Sequence, residues 1–235
     1  MSQSNKKYNV INSAVIGFLS GQELSQMVHY LDNFNPSIYI VFDGWNDIYD
    51  PYLFAKIWPM SYGPIGFHNV FFMIENRLAD YFQITRKDKH LKVASLEQIG
   101  EPLTEKEYFQ KILTTYISNI GKMRSFANSR GASFLHVFQP ELGNKRILSQ
   151  SEQEILSTWN EKYKYRDSRI TEKYRDLIRI AKDSFLEKNI IYVDINEDAA
   201  FSENSQTLFF DVIHPNELGH EIIAKILNQA LSDKF

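Results

Sequence analysis

Two short stretches of this sequence combine residue types that could do acid–base chemistry. Near the C-terminus, Asp211-Val-Ile-His214-Pro215 places a carboxylate three residues before an imidazole. On a loop entering a helix, such a carboxylate can hold the ring in one tautomer and stabilise its protonated form. A general base for nucleophilic catalysis requires that arrangement. Upstream, Gly44-Trp45-Asn46-Asp47 follows an apolar run and presents an amide and two carboxylates, Asp43 and Asp47, around a glycine. An amide and carboxylates delivered at a strand end are a first indication of an active site. Taken alone, each pattern also fits a plain turn or helix entry.

The elements that must position these residues can be read from hydrophobic periodicity. Ser37–Phe42, bounded by Pro36 and Gly44, predicts a strand buried on both faces of a parallel sheet. In such sheets ligands bind just outside the carboxyl ends of the strands. Tyr8–Ile16 predicts an earlier strand, and Ser20-Gly-Gln-Glu23 has the capping-box spacing of a helix start. Leu24, Met27, Val28 and Leu31 follow at helical spacing. Thr104 and Glu107 make a second capping box before a long helix with Ile112, Leu113, Tyr116, Ile117, Ile120 and Met123 inward, ended by Gly131. Ser133–Phe138 predicts the next strand, with Gln139, Pro140 and Glu141 at its carboxyl edge. Helices near Ser151 and over Thr171–Glu187, a strand over Asn189–Asp194 and a final helix capped by Asn216 complete the pattern. This alternation predicts an α/β fold of three layers, α/β/α, as one domain over residues 1–235. Residues 50–95 break it with an aromatic-rich insertion, which would either line a pocket or form a satellite core.

Bulk properties exclude several classes. A net charge of −3 gives no electrostatic reason to expect nucleic acid or an anionic membrane as partner. The absence of cysteine removes disulfides, thiol nucleophiles and Cys-based zinc sites. His214 and His220 are six apart and do not share a helical face, and Asp43, Asp47 and Asp50 lack EF-hand spacing. With no Gly-rich phosphate motif either, nucleotide binding has no support. His29, His68, His90 and His136 are single histidines, for which core or surface placement is the default. No run approaches the roughly 20 apolar residues of a transmembrane span, and no signal peptide is read. As it stands the chain reads as cytoplasmic; a longer N-terminus could make it secreted or anchored. Oligomeric state is not legible.

Read together, Asn12-Ser-Ala-Val-Ile-Gly17, Gly44-Trp-Asn-Asp47 and Asp211-Val-Ile-His-Pro-Asn-Glu-Leu-Gly219 resemble the blocks of the SGNH (GDSL-type) hydrolases, over nearly the whole chain. The resemblance implies a flavodoxin-like, mostly parallel sheet and a serine hydrolase acting on carboxylic esters of small molecules, polysaccharides or lipids, without cofactor. It also assigns roles: Gly17 and Asn46 as oxyanion-hole donors, His214 as base and Asp211 as the acid that orients it. The family's first strand, with its Gly-Asp-Ser nucleophile block, has no counterpart, and no nucleophile is identified. Three readings follow: the C-terminal part of a longer hydrolase, which is the one adopted; a catalytically silent form binding a carbohydrate or lipid-like ligand; or a replacement serine. Ser13 and Ser20 lie near the Gly17 edge, but Ser20 reads better as a helix cap and Ser13 as a strand residue.

Overall fold

The computed structural model describes residues 9–54, 104–163 and 170–235, of which 50–54 and 162–163 are described as backbone only. Among these residues the sheet has three parallel strands in the order β1 (Ile38–Asp43), β2 (Ser133–Phe138) and β3 (Tyr192–Asp194). The register runs from Ile38 opposite Ser133 to Asp43 opposite Phe138, and from His136 opposite Tyr192 to Phe138 opposite Asp194. All three carboxyl ends therefore lie on one edge, which parallel pairing enforces by requiring a crossover between strands. Helix α1 (Ser20–His29) precedes the sheet, and α2 (Trp45–Phe54) leaves β1 directly. The crossovers contain α3 (Glu105–Ser129), then α4 (Gln150–Tyr163) and α5 (Ile170–Glu187). After β3 come a short α6 (Ala199–Ser202) and the C-terminal α7 (Glu217–Lys234).

Strand alternation sends side chains to two faces, and each face has its own core. Tyr39, Phe134 and Phe138 pack against Trp45 and Ile48 of α2, Ile112, Tyr116 and Ile120 of α3, and Tyr174, Leu177 and Phe185 of α5. Leu135 and Val137 face the other way, onto Leu208, Phe209, Ile222 and Ile223. The result is the expected α/β/α layering. Each large side chain buried in these clusters stabilises the fold by roughly 1.5–3 kcal/mol. The predicted caps form at two helices. Thr104 Oγ1 accepts from Glu107 N at 3.3 Å while Glu107 Oε2 accepts from Thr104 N at 2.9 Å, and Asn216 Oδ1 accepts from Gly219 N at 3.0 Å.

Four expectations require correction. Residues 9–15 form no strand, and Ile16 and Gly17 make a turn instead. Nothing in the sheet pairs with that segment, so Val10 and Ile16 stand 86% and 100% exposed despite their β-forming side chains. Strand β1 is buried on one face only. Ile40 and Phe42 share the face of Leu135 and Val137, but the helices of that layer cover β2 and β3 and leave the two residues 43% and 37% exposed. Ser20 is not a cap: Leu19 takes that position, with Gln22 Oε1 accepting from Leu19 N at 3.0 Å. Strand β3 is also shorter than predicted, beginning at Tyr192 rather than Asn189, which adopts a positive φ of 52°. The aromatic insertion lies almost wholly outside the described residues, as do His68 and His90.

Candidate active site

The segment between α6 and α7 is drawn into a tight loop. Phe209 bridges Pro215, and Phe210 N donates to His214 O at 2.8 Å. Within it, Asp211 Oδ1 accepts from Ile213 N and His214 N, each at 2.9 Å, and Asp211 Oδ2 lies 2.7 Å from His214 Nδ1. Two backbone donors thus hold the carboxylate while its second oxygen engages the ring. With Nδ1–H donating to that carboxylate, the basic lone pair is on Nε2. Burial by itself would raise Asp211, but the bonds from His214 and from the two backbone amides outweigh it and hold the carboxyl below its ordinary value. The His214 and Asp211 side chains are 62% and 52% exposed, so the ring is accessible to an incoming group.

Just past the end of β1, Asn46 is tied to the segment that follows Gly17. Gly17 has φ +77°, a conformation that glycine adopts without strain. Asn46 Nδ2 donates to Phe18 O, one residue on, at 3.1 Å. The next residue, Asp47, grips the same segment: its Oδ2 accepts from Ser20 N at 3.0 Å and its Oδ1 from Ser20 Oγ at 2.6 Å. Asn119 Nδ2 donates to Ser20 Oγ at 3.1 Å. A side-chain amide carries two hydrogens, so Asn46 can satisfy Phe18 and still direct the other at a ligand.

The two halves of the site share the carboxyl edge and are tied through Gln139. Its N donates to Asp43 O at 3.1 Å and its Nε2 to Ile213 O at 3.4 Å, while its carbonyl accepts from Tyr174 Oη at 2.7 Å and Asn196 Nδ2 at 3.1 Å. Leu142 N donates to Val212 O at 2.8 Å, a second strut under the histidine loop. Glu141, between these struts, is buried, and that burial raises its carboxyl to about 7 despite hydrogen bonds from Gly143, Thr171 and Asn144.

Sequence reasoning missed a buried polar group beneath the site. His136 is fully buried on β2, and its Nε2 lies 2.8 Å from Asp43 Oδ1 and 2.8 Å from Tyr116 Oη. Tyr116 Oη donates to Asp43 Oδ1 at 2.9 Å. Burial opposes ionisation of Asp43, but the His136 hydrogen bond and charge prevail and lower it. Glu23 of α1 moves the other way, raised well above the usual carboxylate range by burial first and then by the Asp43 and Asp47 charges. The available signal was parity: Asp43 and His136, each the right number of residues along adjacent strands, face the same side. Among the described residues no serine hydroxyl is hydrogen-bonded to His214, and no group of three or more His, Asp or Glu is arranged to hold a metal. Ser20 Oγ is engaged with Asp47 and Asn119.

No curated protein matches the chain by sequence. Among solved structures, a catalytic mutant of Axe2, an acetylxylan esterase from Geobacillus stearothermophilus, is similar at 14% identity with a TM-score of 0.50, covering 91% of this chain and 68% of that one. A second Axe2 mutant, described as an acetyl-xylooligosaccharide esterase from Geobacillus, gives the same identity, coverage and TM-score. At that identity the likeness bears on the fold alone, and it agrees with the parallel, helix-flanked sheet. The family profile described as GDSL-like Lipase/Acylhydrolase matches residues 2–227. The chain therefore belongs to the GDSL-like lipase/acylhydrolase family, the SGNH hydrolases.

Proposed function

We propose that this chain carries the base and oxyanion halves of a site that hydrolyses carboxylic esters through a serine acyl-enzyme. The observation that carries the reading is the Asp211–His214 pair, 2.7 Å apart, on the same sheet edge as Asn46 and Gly17. His214 Nε2 takes the proton of the serine hydroxyl as its oxygen attacks the ester carbonyl. Asp211 stabilises the imidazolium that results, and the ring then returns the proton to the leaving alcohol. The Asn46 amide and the Gly17 N–H donate to the oxyanion of the tetrahedral intermediate. Water repeats the sequence on the acyl-enzyme and releases the acid.

The serine belongs, in this reading, to a strand that pairs with the open edge of β1, present in a longer form of the chain. Support comes from β1 itself. Among the described residues no strand pairs with its outer edge, and Ile40 and Phe42 are exposed on the adjoining face. Fluorophosphonate labelling followed by peptide mapping tests both parts, on this chain and on His214→Ala. A labelled serine in the chain that disappears in His214→Ala would locate a nucleophile already present and sink the idea of a supplied strand. A chain that stays unlabelled while a longer form is labelled upstream would support it.

A second reading is favoured by the lack of any serine hydroxyl bonded to His214 among the described residues. On it, the chain binds an ester-bearing carbohydrate or lipid-like ligand without hydrolysing it. Saturable binding of an acetylated oligosaccharide, with no label in any form of the chain, is the result that would select it.

A further inference from the structure

Asp47 takes no part in the acid–base chemistry above, yet it is 2% exposed and holds two hydrogen bonds from one residue of a distant segment. Asn46 and Asp47 are neighbours in the first turn of α2, and they grip Phe18 and Ser20, on either side of the α1 N-terminus. Ser20 N is one of the helix-start amides that no carbonyl of α1 can satisfy, and a carboxylate is its best partner. Ser20 Oγ is oriented from the other side by Asn119 of α3. Two elements, α2 and α3, therefore converge on the short segment that begins at Gly17.

From this geometry we infer that Asp47 is a positioning residue that sets the spacing between the Asn46 side-chain amide and the Gly17 turn through its double hold on Ser20. The inference rests on the reading of Asn46 and Gly17 as oxyanion donors, because their spacing matters only if one oxygen must sit between them. Removing the Asp47 carboxylate frees the Ser20 amide, lets the 17–20 segment shift, and loosens the Asn46–Phe18 bond. The chemistry that uses the pair is then misaligned with the base left intact.

The test uses the 15N-labelled chain, with Asp47→Ala and, as a milder change that keeps the amide bond, Ser20→Ala. The readouts are the two side-chain N–H resonances of Asn46 and the exchange rate of the Ser20 amide. In the parent these two resonances should be well separated, one hydrogen being bonded to Phe18. Asp47→Ala should narrow that separation and speed Ser20 exchange by at least about tenfold, with Asp47→Asn recovering part of both. Ser20→Ala should narrow the separation less, which keeps the idea testable if Asp47→Ala does not fold. Faster Ser20 exchange with unmoved Asn46 resonances would overturn the inference, reducing Asp47 to a helix cap. The oxyanion reading fails separately: if Asn46→Ala leaves ester hydrolysis unchanged in an active form of the enzyme, the positioning result can stand while its purpose does not.

Discussion

The proposed mechanism assigns unequal roles to Asp211 and His214, and substitutions should separate them. Asp211→Asn preserves shape but offers Nδ1 the wrong partner, so hydrolysis in an active form should fall by on the order of 10³–10⁴-fold, with ester affinity little changed. On the proposed mechanism, Asn46→Ala takes away one oxyanion donor and should reduce kcat by roughly 10²–10³-fold, about 3–4 kcal/mol. The pH dependence of stability follows from signs. Asp211 is depressed in the folded state, so its contribution is present above the unfolded value near 3.9 and is lost as pH falls through the folded one. Its half-exposed side chain limits that contribution to below about 1 kcal/mol. Glu141 has the opposite sign. Raised to about 7, it contributes stability that is fully present below its unfolded value and lost as pH climbs to about 7. Urea unfolding of Glu141→Gln between pH 4.5 and 7 should therefore show a flatter profile than the parent, the difference being on the order of 3 kcal/mol.

Helix entries decide how the site is held. Gly219, in the first turn of α7, sits where an added Cβ would come within 2.5 Å of Leu208 O and 2.9 Å of Pro215 Cβ. Leu208 O also accepts from Asn216 N at 2.7 Å, so the helix start is pressed against the strand-like segment that feeds the histidine loop. Gly219→Ala should destabilise the protein by about 1–3 kcal/mol and disturb the His214 loop at the same time. Gly121, in the middle of α3 with nothing within 4 Å of its added Cβ, is the internal contrast: Gly121→Ala should stabilise by up to about 1 kcal/mol, read as a higher Tm. Gly44 combines φ +118° with the Tyr116 and Tyr174 hydroxyls 3.2 Å from an added Cβ, which explains why the chain turns from β1 into α2 on a glycine. Beneath that turn, Asp43→Ala would strip His136 and Tyr116 of a shared buried partner, and a loss of roughly 3–5 kcal/mol is expected in chemical denaturation.

For the molecule as a whole, the distribution of cover over the sheet is uneven. Both faces of β2 are packed, while β1 exposes Ile40 and Phe42 on one face and has an outer edge that takes no strand among the described residues. Such an edge presents backbone donors and acceptors beside apolar side chains, a template for pairing with another strand. Sedimentation should accordingly show concentration-dependent association of this chain, weakened by Ile40→Lys together with Phe42→Lys, since neither residue contributes to a core cluster.

The sequence by itself determined the layer order, the two capped helices at Thr104 and Asn216, and the Asp211–His214 contact, because periodicity, cap chemistry and the Asp-x-x-His spacing are local properties. Local signals also misled. Residues 9–15 have β-forming side chains but, among the described residues, no neighbouring strand to satisfy their backbone, and Ser20 has a cap's chemistry but answers to Asp47, 27 residues away. Only the tertiary structure could decide those outcomes, and only it could join Asp43 to His136 across 93 residues or seat Gln139 between the two halves of the site. A buried polar group takes whichever partner the packing brings within reach, and that partner is set by strand register rather than by sequence distance.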